Sequence, residues 1–191
     1  MLKICRCVFT GIFISFWSFS TLALASTPEY KNSIEIFGGG YSLQSTGGAA
    51  SSIGSLLVSY GYNIDRHFRA GIAYQNILSG TTGLGSSVSG LDLFGQYCFF
   101  SCVMERTEAA SIAVVQEESK FGLAAGLGLS QRSFQLSTQT VGFAGPMFKV
   151  TGNYFWTTVM KALVGIQYAT LVNGSNQLKF MTYSIGLGVD W

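Results

Sequence analysis

The sequence predicts an all-β fold: an eight-stranded antiparallel up-and-down transmembrane β-barrel with short periplasmic turns and longer extracellular loops. Three observations carry this expectation. First, 48% of the 191 residues are hydrophobic and 14% aromatic, but only 10% are charged, against roughly 25% in an ordinary soluble domain. Second, the mean hydropathy of +0.37 is high for a chain that dissolves in water. Third, beyond residue 25 the apolar residues alternate with other types and never form a block. A spanning helix needs about 20 consecutive apolar residues. Alternating strands can cross lipid only as a closed barrel, where every backbone polar group is paired internally. The aromatic content and low charge also exclude a disordered chain.

Residues 1–25 read as a signal peptide. Lys3 and Arg6 form a basic head, residues 8–22 an apolar stretch, and Ala23-Leu24-Ala25 places small residues where a signal peptidase reads them. An uncleaved anchor is the rival, but no basic cluster follows as a stop signal. Cys5 and Cys7 precede the apolar stretch, so neither sits where a lipid-attachment cysteine would. Losing Lys3 and Arg6 leaves 9 basic residues against 9 acidic ones. A neutral chain with no basic patch does not suggest nucleic acid.

Residues 26–191 form the expected barrel domain. A strand alternates its side chains between two faces, here lipid and lumen. The first strand, 33–43, is apolar on both faces and has no readable orientation. Strand 54–64 sets Leu56, Val58, Tyr60 and Tyr62 against Ser55, Ser59 and Asn63. Strand 67–76 sets Phe68, Ala70, Ile72 and Tyr74 against Arg69, Gly71 and Gln75. Strand 90–99 sets Leu91, Leu93, Tyr97 and Phe99 against Asp92, Phe94 and Gln96. Strand 120–129 places Phe121, Leu123, Ala125, Leu127 and Leu129 opposite Gly122, Ala124, Gly126 and Gly128. Strand 147–156 sets Phe148, Val150, Tyr154 and Trp156 against Lys149, Thr151 and Asn153. Strand 161–171 sets Val164, Ile166 and Tyr168 against Gly165 and Gln167. The last strand, 179–191, is the clearest. Met181, Tyr183, Ile185, Leu187, Val189 and Trp191 alternate without a break with Thr182, Ser184, Gly186, Gly188 and Asp190.

The connections alternate too. Segments 63–66 and 157–160 are short, while 42–52, 78–88, 130–146 and 172–178 are longer and rich in small polar residues. That asymmetry separates the periplasmic from the extracellular side, with both termini at the short-turn side. A secreted β-sandwich would also alternate, but with more charge and without unbroken rows of Leu, Val, Tyr and Trp. Residues 101–119 break the scheme: an unusually long periplasmic connection holding Glu105, Arg106, Glu108, Glu117 and Glu118. A short helix or a strand extension would suit it.

With its leader, eight strands and final aromatic, the chain resembles the small eight-stranded outer-membrane barrels of the OmpA transmembrane domain, OmpX–Ail and opacity-protein type. Tyr183-x-Ile185-x-Leu187-x-Val189-x-Trp191 looks like their assembly signal, and Gly38-Gly39-Gly40-Tyr41 is similar to their opening strand. The resemblance implies a bacterial cell outer-membrane location, surrounding outer-membrane lipid, and contact with the barrel-assembly machinery. It also implies a non-enzymatic envelope-structural or surface-binding role, adhesive toward an unidentified extracellular ligand or host surface. A monomer is expected. No peptidoglycan-binding domain follows, so OmpA-like anchoring is not implied.

Two alternatives remain, a lipid-active barrel enzyme and a narrow pore. Lipid A deacylases carry His-x-Ser on one strand, but here the sequence is His67-Phe68-Arg69. His67 also falls at the periplasmic end, away from such a substrate. No catalytic, cofactor or metal residues are assigned, because one His and the Cys98/Cys102 pair fall short of the three or four ligands a metal needs. Against a pore, eight strands enclose an interior that side chains fill. Arg69, Asp92, Gln96, Lys149 and Gln167 form the expected polar network there, with Gln75, Phe94, Asn153 and Phe155 beside them. Counted from their strand ends, Asp92 and Lys149 stand at equal height, which predicts a buried Asp92–Lys149 ion pair. Cys98 and Cys102 would lie about 13 Å apart in a continuous strand, so a disulfide requires the strand to end by Phe99 and turn at once.

Overall fold

The computed structural model describes residues 30–45, 48–78, 87–100, 102–103, 106–107, 116–117, 120–136 and 139–191. The leader at 1–25 lies outside the described residues. Eight strands close into a barrel: β1 (Asn32–Ser45), β2 (Gly48–Asn63), β3 (Phe68–Leu78), β4 (Ser87–Cys98), β7 (Phe121–Leu136), β8 (Gln139–Phe155), β9 (Met160–Asn173) and β10 (Asn176–Asp190). Each pairs antiparallel with its neighbours in sequence, and β1 pairs with β10 to complete the ring. The seam is tied at its base, where Asn32 N donates to Trp191 O and Trp191 N to Asn32 O, both at 2.9 Å.

Tyr30, Trp191 and the two short turns share one end, here called terminal. The turns are tight: Ile64 N donates to Phe68 O at 2.8 Å, and Trp156 N to Met160 O at 3.0 Å. Between them β5 (Arg106–Thr107) and β6 (Gln116–Glu117) pair antiparallel within the long 101–119 connection. That connection therefore holds a small strand pair.

At the distal end, three of the four expected long loops differ from expectation, while most of the fourth, 79–86, lies outside the described residues. β7 and β8 remain paired from Phe121–Tyr154 up to Leu136–Gln139, so the predicted loop 130–146 is mostly strand. β1 and β2 likewise pair through Ser45–Gly48, and β9 and β10 through Asn173–Asn176. Above the apolar row of β7 the outer face turns polar at Gln131 and Gln135. The alternation fades there while the backbone ladder continues.

The outward rows are apolar and exposed on all eight strands. Met181, Tyr183, Ile185, Leu187 and Val189 of β10, and Trp191 just beyond it, all face out. Ten residues at about 3.3 Å each, tilted by about 40°, span roughly 25 Å, the height of the apolar band of a membrane barrel. β1 takes the orientation its sequence conceals: Ile34 and Ile36 face outward, whereas Glu35, Phe37, Tyr41 and Leu43 are buried. Above Glu35 its inner face is apolar because Phe37, Tyr41 and Leu43 join an apolar cluster in the lumen. Phe37, Tyr41, Leu43, Leu57, Ile77, Val88, Phe94, Met147, Leu171 and Phe180 pack there into one cluster. Several inward glycines make room for the large lumen groups: the space beside Gly90 is filled by Arg132, beside Gly61 by Arg69, and beside Gly188 by Lys161.

Candidate functional site: a charge-paired lumen

The lumen carries its charges in layers. The terminal layer joins β1, β3, β9 and β10. Arg69 donates from Nη1 to Glu35 Oε1 (2.6 Å), from Nε to Asn63 Oδ1 (2.7 Å) and from Nη2 to the Cys102 carbonyl (2.9 Å). Lys161 Nζ lies 2.7 Å from Asp190 Oδ1, 3.0 Å from Ser33 Oγ and 3.1 Å from Glu35 Oε1. Arg69 Nη2 is also 3.8 Å from Asp190 Oδ1. Two cations and two carboxylates thus interlock, all buried. Only Arg69 of these four was named among the expected network residues. The polar face of the last strand could have revealed Asp190, two residues from Gly188. Lys161 shares its parity with Gln167. Nothing in the two-sided apolar pattern of β1 pointed to Glu35.

The upper layer joins β3, β4, β7 and β9. Asp92 accepts from both Arg132 terminal nitrogens, Nη1 to Oδ1 at 2.6 Å and Nη2 to Oδ2 at 2.9 Å. Gln167 Nε2 donates to Asp92 Oδ2 at 2.9 Å, and Arg132 Nη2 to Gln75 Oε1 at 3.0 Å. The guanidinium also lies 5.1 Å from the centroid of the Phe180 ring. A two-pronged arginine–carboxylate pair of this kind is among the strongest polar contacts proteins make.

This corrects the expected Asp92–Lys149 ion pair. The partner of Asp92 is Arg132, a residue assigned from sequence to a loop. Register explains it. Arg132 pairs with Gly90, so it is the diagonal same-face neighbour of Asp92 across β4 and β7. Lys149 is in register with Gly126 and, through it, Gln96, while Asp92 is in register with Ser130 and Gly145. Counting height along single strands ignores that stagger, which every tilted barrel has.

Lys149 and Gln96 occupy the middle layer. Lys149 Nζ stands 4.5 Å from the Phe94 ring centroid and 5.3 Å from that of Phe37. It is buried and makes no hydrogen bond. Gln96 Nε2 donates to Thr151 Oγ1 at 3.2 Å. A cavity of about 10 Å³ beside Lys149 is lined by Phe37, Leu57, Gln167, Thr182 and Ser184 among others. That is roughly room for one water-sized sphere.

At the terminal mouth Cys98 and Cys102 are disulfide-bonded, with Cα atoms 5.3 Å apart. β4 ends at Cys98 and the chain turns at once. Cys102 and Val103 are buried, and Cys102 N donates to the Arg66 carbonyl at 2.8 Å. The bond thereby holds the Cys102 carbonyl against Arg69. With a sequence separation of only 4, loop closure alone is worth about 2 kcal/mol. Replacing both cysteines by serine should lower the unfolding free energy by about that amount in urea titrations. In the chain from residue 26 onward, alkylation should label two thiols only after reduction. Labelling of both in unreduced, denatured protein would count against the bond.

His67 lies outside this lumen network. Its ring stacks on Tyr97 at 5.7 Å, and its Nδ1 is 2.9 Å from the Cys98 carbonyl. Asp65 is spent on the backbone N–H groups of His67 and Phe68. Among the described residues, no three or more His, Cys, Asp or Glu side chains gather where they could hold a metal.

Solved structures share this architecture. Neisserial surface protein A superposes with a TM-score of 0.62 at 16% identity, covering 84% of this chain and 97% of that one. The fold is that of the small eight-stranded outer-membrane barrels. The N-terminal barrel domain of Pseudomonas aeruginosa OprF gives 0.55 at 12% identity, covering 85% of this chain and 100% of that one. Ail, the attachment invasion locus protein of Yersinia pestis, gives 0.54 at 13%, covering 86% and 100%. No protein-family model matches the sequence, and a comparison with curated proteins gives no match. What distinguishes this outer-membrane barrel fold is therefore its own lumen and rim.

Proposed function

We propose that this chain is a non-enzymatic integral protein of the bacterial outer membrane, exported through a cleaved leader and sealed along its lumen. Its role is envelope-structural or surface-binding through the distal rim. The observation that carries this is the combination of apolar outward rows on every strand with a lumen closed by paired charges and packed rings. The last strand, Tyr183 to Trp191, then serves both as closing strand and as the signal read by the barrel-assembly machinery. A lipid-active enzyme is disfavoured by His67, which sits at the terminal end with its ring bonded to a backbone carbonyl.

The rim has its own chemistry. Segments 42–52, 78–88, 130–146 and 172–178 contain no Asp or Glu and only Arg132 as a base, with Lys179 following the last of them. Arg132 is buried. One structure of Ail is a complex with the heparin analogue sucrose octasulfate, a polyanion. A rim with a single exposed cation, rich in hydroxyls and amides, suits hydrogen bonding to an uncharged surface better than capture of a polyanion.

Membrane fractionation and gel mobility test the reading together. The protein should partition with the outer membrane, resist SDS until boiled, and then change mobility, because a closed barrel satisfies its backbone internally. Liposomes containing it should swell in sugar solutions no faster than empty ones. A band unmoved by heating would favour a soluble sandwich, and rapid swelling would favour a pore.

A further inference from the structure

The buried charges of the described lumen do not balance. Glu35, Asp92 and Asp190 stand against Arg69, Arg132, Lys149 and Lys161. Asp92 is taken by Arg132, and Glu35 and Asp190 are taken by Arg69 and Lys161. Lys149 is the remaining cation. It has no hydrogen-bond partner, its contacts are the faces of Phe94 and Phe37, and Glu35 and Asp92 attract it only from beyond bonding distance. Ring faces attract an ammonium but bring no counter-charge, and an isolated buried ion is costly.

Lys149 also borders the small cavity, where the hydroxyl-bearing Thr182 and Ser184 and the amide-bearing Gln167 line the wall. The ammonium and the Thr182 hydroxyl can both donate toward one point, while the Ser184 hydroxyl donates to the Gly165 carbonyl at 3.5 Å. We propose that Lys149 and Thr182 form a buried site for one small monovalent anion of the halide class. Sign and size select this ligand. Two donors and an excess positive charge exclude a metal cation. The cavity is small, so a monatomic anion suits it better than phosphate, sulfate or a carboxylate. The anion neutralises the lumen at mid-height, between the two layers where protein carboxylates already do so. A water molecule in the same place satisfies the donors without supplying charge, and the experiment separates the two.

Protein purified folded from membranes is dialysed into sodium gluconate, whose anion is too large for the cavity. Sodium bromide is then titrated in at constant ionic strength. Bromide NMR line width should broaden saturably, chloride should compete it away, and the midpoint of the heat-induced gel shift should rise in parallel. Lys149→Met, which keeps an apolar side chain between the two rings, should lose all three effects. Should that variant fail to fold, Thr182→Val retains the lysine and removes one donor, and the bromide titration should shift to higher concentration. Broadening that is non-saturable, or unchanged in whichever variant folds, overturns the site. So does a thermal midpoint identical in halide and gluconate, which leaves water as the occupant.

Discussion

Arg132→Met should lower the stability of the folded barrel by about 3–5 kcal/mol, the cost of stranding one member of a buried ion pair. The guanidinium is fully buried and makes two bonds to Asp92, one to Gln75, one to the Gln131 carbonyl and a face contact with Phe180. Without it, Asp92 keeps only the Gln167 amide as a side-chain donor, and the Gln75 carbonyl oxygen loses its donor. The double variant Arg132→Met with Asp92→Leu should recover most of the loss. Both new side chains would enter the apolar cluster that already holds Ile77, Val88 and Phe180, and replacing a buried pair by packed apolar groups is often close to neutral. Urea unfolding in detergent micelles measures all three. A second cycle, Asp92→Asn with Lys149→Met, should show much the smaller coupling, because Lys149 makes no bond to Asp92. Stronger coupling in that cycle than in the first would reassign the partner of Asp92.

Much of this barrel was readable from alternation alone, and the exceptions share a cause. Alternation reports the contrast between lipid and lumen, so it is legible where lipid is outside and polar groups are inside, as from Met181 to Trp191. On β1 the contrast vanishes, because Phe37, Tyr41 and Leu43 belong to an apolar stretch of lumen; Glu35 was hidden with them. Along 130–136 it vanishes for the opposite reason. The strand has left the apolar band, so Gln131 and Gln135 are exposed and polar outside, and the segment reads as a loop. Its parity nevertheless continues from Gly128 through Ser130 to Arg132. Following parity past the end of the apolar row would have placed Arg132 inside. The pairing of Asp92 needed something no single strand carries, the stagger between neighbouring strands.

Glu35→Gln should cost a similar 3–5 kcal/mol, and its pattern of rescue tests the terminal layer more sharply than its size. Glu35 Oε1 accepts from Arg69 at 2.6 Å and lies 3.1 Å from Lys161 Nζ. Neutralising it leaves two buried cations sharing Asp190, which is 2.7 Å from Lys161 but 3.8 Å from Arg69. Two unit charges about 4 Å apart interact by about 4 kcal/mol at an effective dielectric of 20, so the excess cation is felt strongly. The remedy is to remove one cation, and the two choices are unequal. Lys161→Met added to Glu35→Gln leaves Arg69 with Asp190 and keeps its bonds to Asn63 and the Cys102 carbonyl. Arg69→Met added instead restores charge balance but strips the donor from both of those acceptors. The first double variant should therefore regain more stability than the second, by about 1–3 kcal/mol, the cost of leaving buried acceptors unsatisfied. The layer bridges β1 and β10, the strands that close the ring, so Glu35→Gln should also lower the temperature at which the folded band disappears on SDS gels. Equal rescue by the two double variants would mean that Arg69 contributes only its charge and that its contacts with Asn63 and Cys102 do not hold the terminal mouth together.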